Sequence, residues 1–180
     1  MLMPRRAAGL VLALLLLTTG ACEIEIGGFG ASVGPDAPSY PITMYQGGGV
    51  FDSGQVEFDD AKAEAPLVVY YFNGQCEQCL GELRLLQATA AEHEGKLTVL
   101  AVDMGPATRE GDSEDAQSLL AESGATFPAG YTADASVAST HEIDAIPTIA
   151  FYEDDGHYRK KIVGVLTRDN LQESVADILK

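Results

Sequence analysis

Cys76-Glu77-Gln78-Cys79 follows the apolar run Leu67-Val68-Val69-Tyr70-Tyr71-Phe72 and opens a segment of helical character from Glu77 to His93. A strand that hands over to a helix at a pair of thiols narrows the options for the fold. The first turn of a helix leaves backbone N–H groups unpaired and carries partial positive charge, which favours a thiolate over a thiol. Two sulfurs at this spacing can close a small redox-active disulfide, so the junction is a candidate site for thiol–disulfide exchange. Two other uses of the pair fit less well. A structural zinc ion needs a full tetrahedral ligand set, and His93, His141 and His157 are scattered with no second C-x-x-C. An inert cross-link gains little from so short a loop, because this kind of stabilisation grows with loop length.

The third cysteine belongs to a different segment. Arg5-Arg6, the apolar stretch Ala7 to Leu17 and the small residues Thr18-Thr19-Gly20-Ala21 before Cys22 make a charged region, an apolar region and a cleavage point. Residues 1–21 therefore read as a secretory signal, and the apolar run is well short of the ~20 residues that a spanning helix needs. Small residues followed by cysteine resemble a bacterial lipobox, which implies lipidation of Cys22, although Thr19 stands where that pattern has Leu. An uncleaved anchor and ordinary cleavage after Ala21 are the alternatives. The expected location is extracytoplasmic, at the cell surface or in the periplasm, with the N-terminal lipid as the membrane attachment. Thiols there tend to be oxidised, so a dithiol that works as a reductant needs a dedicated electron supply.

Charge excludes several partners. The chain carries a net charge of −16, and removing residues 1–21 takes away Arg5 and Arg6 and no acid, which leaves −18. Such acidity argues against nucleic acid or anionic lipid as direct partners. Residues 22–39 are rich in Gly, Ala, Ser and Pro and read as a flexible tether, and residues 40–180 are the size of one domain.

Within that domain, Ile42 to Tyr45 and Val50 to Phe58 are expected as strands, and the unbroken apolar run Leu67 to Asn73 as a strand buried on both faces. Cys79, Leu83, Leu86 and Ala90 then form an apolar helical stripe that ends at Gly95. Leu97 to Met104 is a second central strand, and Asp112 to Ser123 and Val137 to His141 are helices. Thr148 to Tyr152 and Tyr158 to Val163 form a hairpin, and Thr167 caps a last helix to Leu179. The pattern is α/β, with a mixed central sheet flanked by helices.

Taken together, these residues resemble the thioredoxin fold and, within it, the TlpA/ResA-like membrane-anchored thiol–disulfide oxidoreductases. The strand into C-x-x-C, Val99 to Asp103, the segment Ala116 to Pro128, Ile146-Pro147-Thr148, Asp155-Gly156 and Gly164 to Thr167 match in order. The resemblance implies a cis Ile146-Pro147 bond, with Ile146, Pro147 and Thr148 presenting backbone to a client chain. It also implies catalysis by Cys76 as attacking thiolate and Cys79 as resolving thiol, with Glu82 as the acid of a C-x-x-C-x-x-E pattern. Neither a metal nor another cofactor is expected; client proteins with thiols or disulfides and a membrane redox donor are the expected partners. The chain departs from the family at Gln75 and Gln78, where Trp and Pro usually stand, and it contains no Trp. Tyr70 occupies the strand position at which thioredoxins carry an acid, and Asn73 replaces the Thr or Ser of a peroxidatic site. The alternatives are a Cu(I) chaperone using the same thiols, against which the C-x-x-C spacing counts, and a redox-silent binding module.

Overall fold

The computed structural model describes residues 38–180 apart from 48, 52, 53 and 65. The expected signal peptide and Cys22 lie outside the described residues, as does the expected tether up to residue 37. No described helix is long and apolar enough to cross a membrane.

The sheet is built around β3 (Leu67–Phe72), whose six residues are all buried. β3 pairs in parallel with β4 (Thr98–Asp103) and antiparallel with β6 (Thr148–Tyr152), so both its edges and both its faces are covered. That position needs an uninterrupted apolar run, and burying each of its large side chains contributes about 1.5–3 kcal/mol. Alternate residues feed two cores. Val68, Tyr70 and Phe72 pack with Cys79, Leu83 and Leu86, while Leu67, Val69 and Tyr71 pack with Tyr40, Phe58 and Tyr152.

β1 (Pro41–Gln46), β2 (Gln55–Glu57), β5 (Ala129–Tyr131) and β7 (Tyr158–Val163) complete a seven-stranded mixed sheet of order β2-β1-β5-β4-β3-β6-β7. Its helices are α1 (Phe58–Lys62), α2 (Cys79–Glu92), α3 (Gly105–Thr108), α4 (Ser113–Ser123), α5 (Val137–Thr140) and α6 (Arg168–Ile178). The mixed sheet with flanking helices agrees with the expected fold class.

The details differ in places. The strand expected over Val50 to Phe58 shrinks to β2, because Val50 lies in a turn and Phe58 instead starts α1, with Asp59 and Asp60 in its first turn where acids favour a helix. The helix expected from Glu77 starts at Cys79, so Cys79 is the first helical residue. The short elements β5, α1 and α3 were not expected. β5 depends on Gly130, where an added Cβ would lie 2.5 Å from the Thr43 carbonyl oxygen on β1. At the other end of the chain Thr167 caps α6 as expected, its hydroxyl accepting from Asn170 N–H while Asn170 Oδ1 accepts from Thr167 N–H.

Candidate active site

β3 ends at Phe72, and the loop Asn73 to Gln78 carries the chain to α2 at the C-terminal edge of the parallel strands. Asn73 Oδ1 accepts from Gln75 N–H, and Cys79 N–H donates to Cys76 O at 3.0 Å, which winds the loop into the helix. Gln78 makes no side-chain cap, so no side chain from that position competes for the first amides of α2. Gly74 fixes where the loop lies: a Cβ there would sit 2.4 Å from Asp115 Cβ and 2.5 Å from Ala116 N at the start of α4.

Cys76 and Cys79 are joined in a disulfide. Cys76 is half-buried and Cys79 fully buried. Cys76 opens onto a depression of about 530 Å³ that Asn73, Gln75, Glu77, Gln78, Glu110 and Ile146 also line. Ile146 belongs to the loop before β6, in which the Ile146–Pro147 bond is cis and the Pro147 carbonyl accepts from Gly164 N–H. Thr148 opens β6 with its side chain buried and its hydroxyl donating to Ala145 O at 2.7 Å, bracing that loop from within.

Glu82 lies one turn beyond Cys79 on the same side of α2 and is only 5% exposed. Tyr70 Oη donates to Glu82 Oε2 at 2.7 Å, and Leu166 N–H donates to Glu82 Oε1 at 2.8 Å. The carboxylate thus joins β3, α2 and the entry to α6, and among the described residues it has no ion-pair partner. Burial, followed by the bond and charge of Glu82, pushes the Tyr70 phenol far above its usual range, so it stays protonated.

Asp103, at the end of β4 opposite Phe72, is a second buried acid near this edge. It accepts from Tyr45 Oη and Gly105 N–H, each at 2.8 Å, and burial raises it above the ordinary aspartate range. The chain Asp103-Met104-Gly105-Pro106 carried a signal for it, an acid two residues before a glycine-proline helix start. Nothing local in the sequence marked Tyr70 as the partner of Glu82.

Comparison with solved structures identifies the fold. A protein described as a DsbE-type thiol:disulfide interchange protein from Chlorobium tepidum superposes with a TM-score of 0.67 at 18% identity, over 84% of this chain and all of that one. A secreted Mycobacterium tuberculosis disulfide oxidoreductase homologous to Escherichia coli DsbE gives 0.60 at 18%, over 74% and 94%. StoA from Bacillus subtilis gives 0.59 at 15%, over 77% and 96%. This is a thioredoxin-like fold carrying a C-x-x-C disulfide. No family model and no curated protein matches the chain by sequence.

Proposed function

We propose that this protein is an extracytoplasmic thiol–disulfide oxidoreductase that reduces client disulfides with the Cys76/Cys79 pair. The observation that carries the reading is the asymmetry of the disulfide: one sulfur faces an open depression at a helix N-terminus beside a cis-proline loop, and the other is sealed in the core. In the reduced protein the Cys76 thiolate attacks a client disulfide and forms a mixed disulfide while the second client sulfur leaves as a thiolate. Cys79 then gives its proton to Glu82 and attacks Cys76 Sγ, closing the Cys76–Cys79 bond and releasing the client as a dithiol. Two electrons pass to the client, and a membrane redox donor restores the dithiol. The backbone of Ile146 to Thr148 receives the client beside Cys76.

The names of the structural neighbours support thiol exchange, and the secreted M. tuberculosis protein supports action outside the cytosol. Lipidation of Cys22 would hold the domain at the membrane, with residues 22–39 as its tether. Cys79→Ser should accumulate covalent client complexes and Cys76→Ser none; trapping by Cys76→Ser alone would reverse the roles. A glutathione titration should place the pair near or below about −250 mV, whereas a value near about −120 mV would mark an oxidant. Cys22→Ala should release the protein from membranes, and equal solubility of both forms would refute the lipid anchor.

A further inference from the structure

The Glu82 carboxylate has two described partners of different kinds. Leu166 N–H can only donate, so it satisfies Oε1 in either protonation state but can never accept a proton from Glu82. The Tyr70 hydroxyl can do both: it donates to a carboxylate and, after rotation about its C–O bond, accepts from a carboxylic acid. A buried acid whose O–H finds no acceptor is strongly disfavoured, and of the two described partners of Glu82 it is the Tyr70 hydroxyl that can satisfy it once it is protonated. Packing does not require that hydroxyl. Tyr70 stacks on Phe72 with ring centroids 5.8 Å apart, and Phe would fill the same place in β3.

We propose that Tyr70 is a positioning residue for the resolving step: its hydroxyl holds Glu82 as a carboxylate facing the Cys79 side of α2, then turns to accept from Glu82 when the carboxyl takes the Cys79 proton. The inference rests on the exchange reading above. The step balances: the proton moves from Cys79 Sγ to Glu82, the Cys79–Cys76 bond forms, the Cys76–client bond breaks, and the client sulfur leaves with the electron pair. Tyr70 neither gains nor loses a proton, in keeping with a phenol that burial keeps protonated. The charged neighbours on α2, Glu77 and Arg84, and those opening α6, Arg168 and Asp169, are all exposed. Asp103 on β4 is engaged by Tyr45 and Gly105, and the charge it feels is that of Asp112. The titratable groups within this part of the core are therefore Glu82, Tyr70 and Cys79.

The test follows disulfide closure itself. Cys76 is glutathionylated in the full chain, and the release of glutathione as Cys79 closes the bond is timed across pH. In the wild type the rate should rise with pH along a limb set by Glu82, and Glu82→Gln should remove that limb. Tyr70→Phe deletes a donor to the carboxylate, so the midpoint of the limb should move up by about one pH unit. Replacing Tyr70 with 3,5-difluorotyrosine, a stronger donor, should move it down, and this variant carries the test if Tyr70→Phe does not fold. An unmoved midpoint in the folded Tyr70 variants, or a limb that survives in Glu82→Gln, overturns the proposal. A wild type that releases no glutathione overturns the exchange reading instead.

Discussion

Tyr70 and Tyr71 are neighbours on one strand, equally buried, and face opposite ways. Tyr70 gives its hydroxyl to the carboxylate of Glu82, one helical turn along α2 from Cys79. Tyr71 Oη meets Tyr40 Oη at 3.0 Å, within a cluster where Tyr40 stacks on Phe58 with ring centroids 4.7 Å apart. Burial holds the phenols of Tyr40, Tyr71 and the neighbouring Tyr152 well above their usual range, so all three stay neutral. The residue type and the strand are the same on both faces; the partner differs, a carboxylate on the face proposed to move a proton and another phenol on the face that holds the sheet together. Substitutions on the Tyr71 face should therefore affect stability and spare thiol exchange, whereas loss of the Tyr70 hydroxyl or of the Glu82 carboxylate should reach thiol exchange.

Phe58→Ala should give the largest effect, because Phe58 is buried between Tyr40, His141 and Tyr152. A loss of about 3–5 kcal/mol by urea unfolding is expected, with unchanged exchange activity in the fraction that stays folded. Glu82→Gln should slow turnover by about 10²-fold with disulfide formation retained. Equal rates for this variant and the wild type would erase the contrast between the faces. Tyr71→Phe removes one hydroxyl and leaves that of Tyr40 short of a partner. The expected loss is about 1–3 kcal/mol, with normal glutathione release.

The smallest effect concerns acid. His141 stands edge-on to Tyr40 and Phe58, and burial holds its imidazole below the usual histidine value. A depressed folded value means that its contribution to stability is present above the ordinary value near about 6.5 and is lost as pH falls through the folded value. Stability of the wild type should decline through that window, and His141→Gln should flatten the decline. A decline that is as steep in the variant would place the acid sensitivity elsewhere.

Much of this contrast was written in the sequence, but not the part that gives Glu82 its partner. The spacing of Cys76 and Cys79 after six apolar residues announced both the central strand and the disulfide, since both signals are local. The hairpin β6–β7 and the cap at Thr167 were legible for the same reason. Short elements were not: Ala129–Tyr131 is a strand only because β1 and β4 lie on either side of it, and Phe58 reads as the end of a strand until Asp59 and Asp60 are seen to open a helix. Glu82 could be placed one turn from Cys79, yet its partners come from a strand 12 residues away and a loop 84 residues away. Gly74 looks like any loop glycine until α4 packs against it.

The bond from Leu166 N–H to Glu82 has a practical use. That amide is a single backbone position at the entry to the last helix, directly bonded to the acid and distant from both sulfurs in the chain. Its nitrogen-15 resonance is therefore a built-in reporter of the charge on Glu82. Following that one peak through a titration of the reduced protein would read the ionisation of the acid in place, without alkylating either cysteine and without a client.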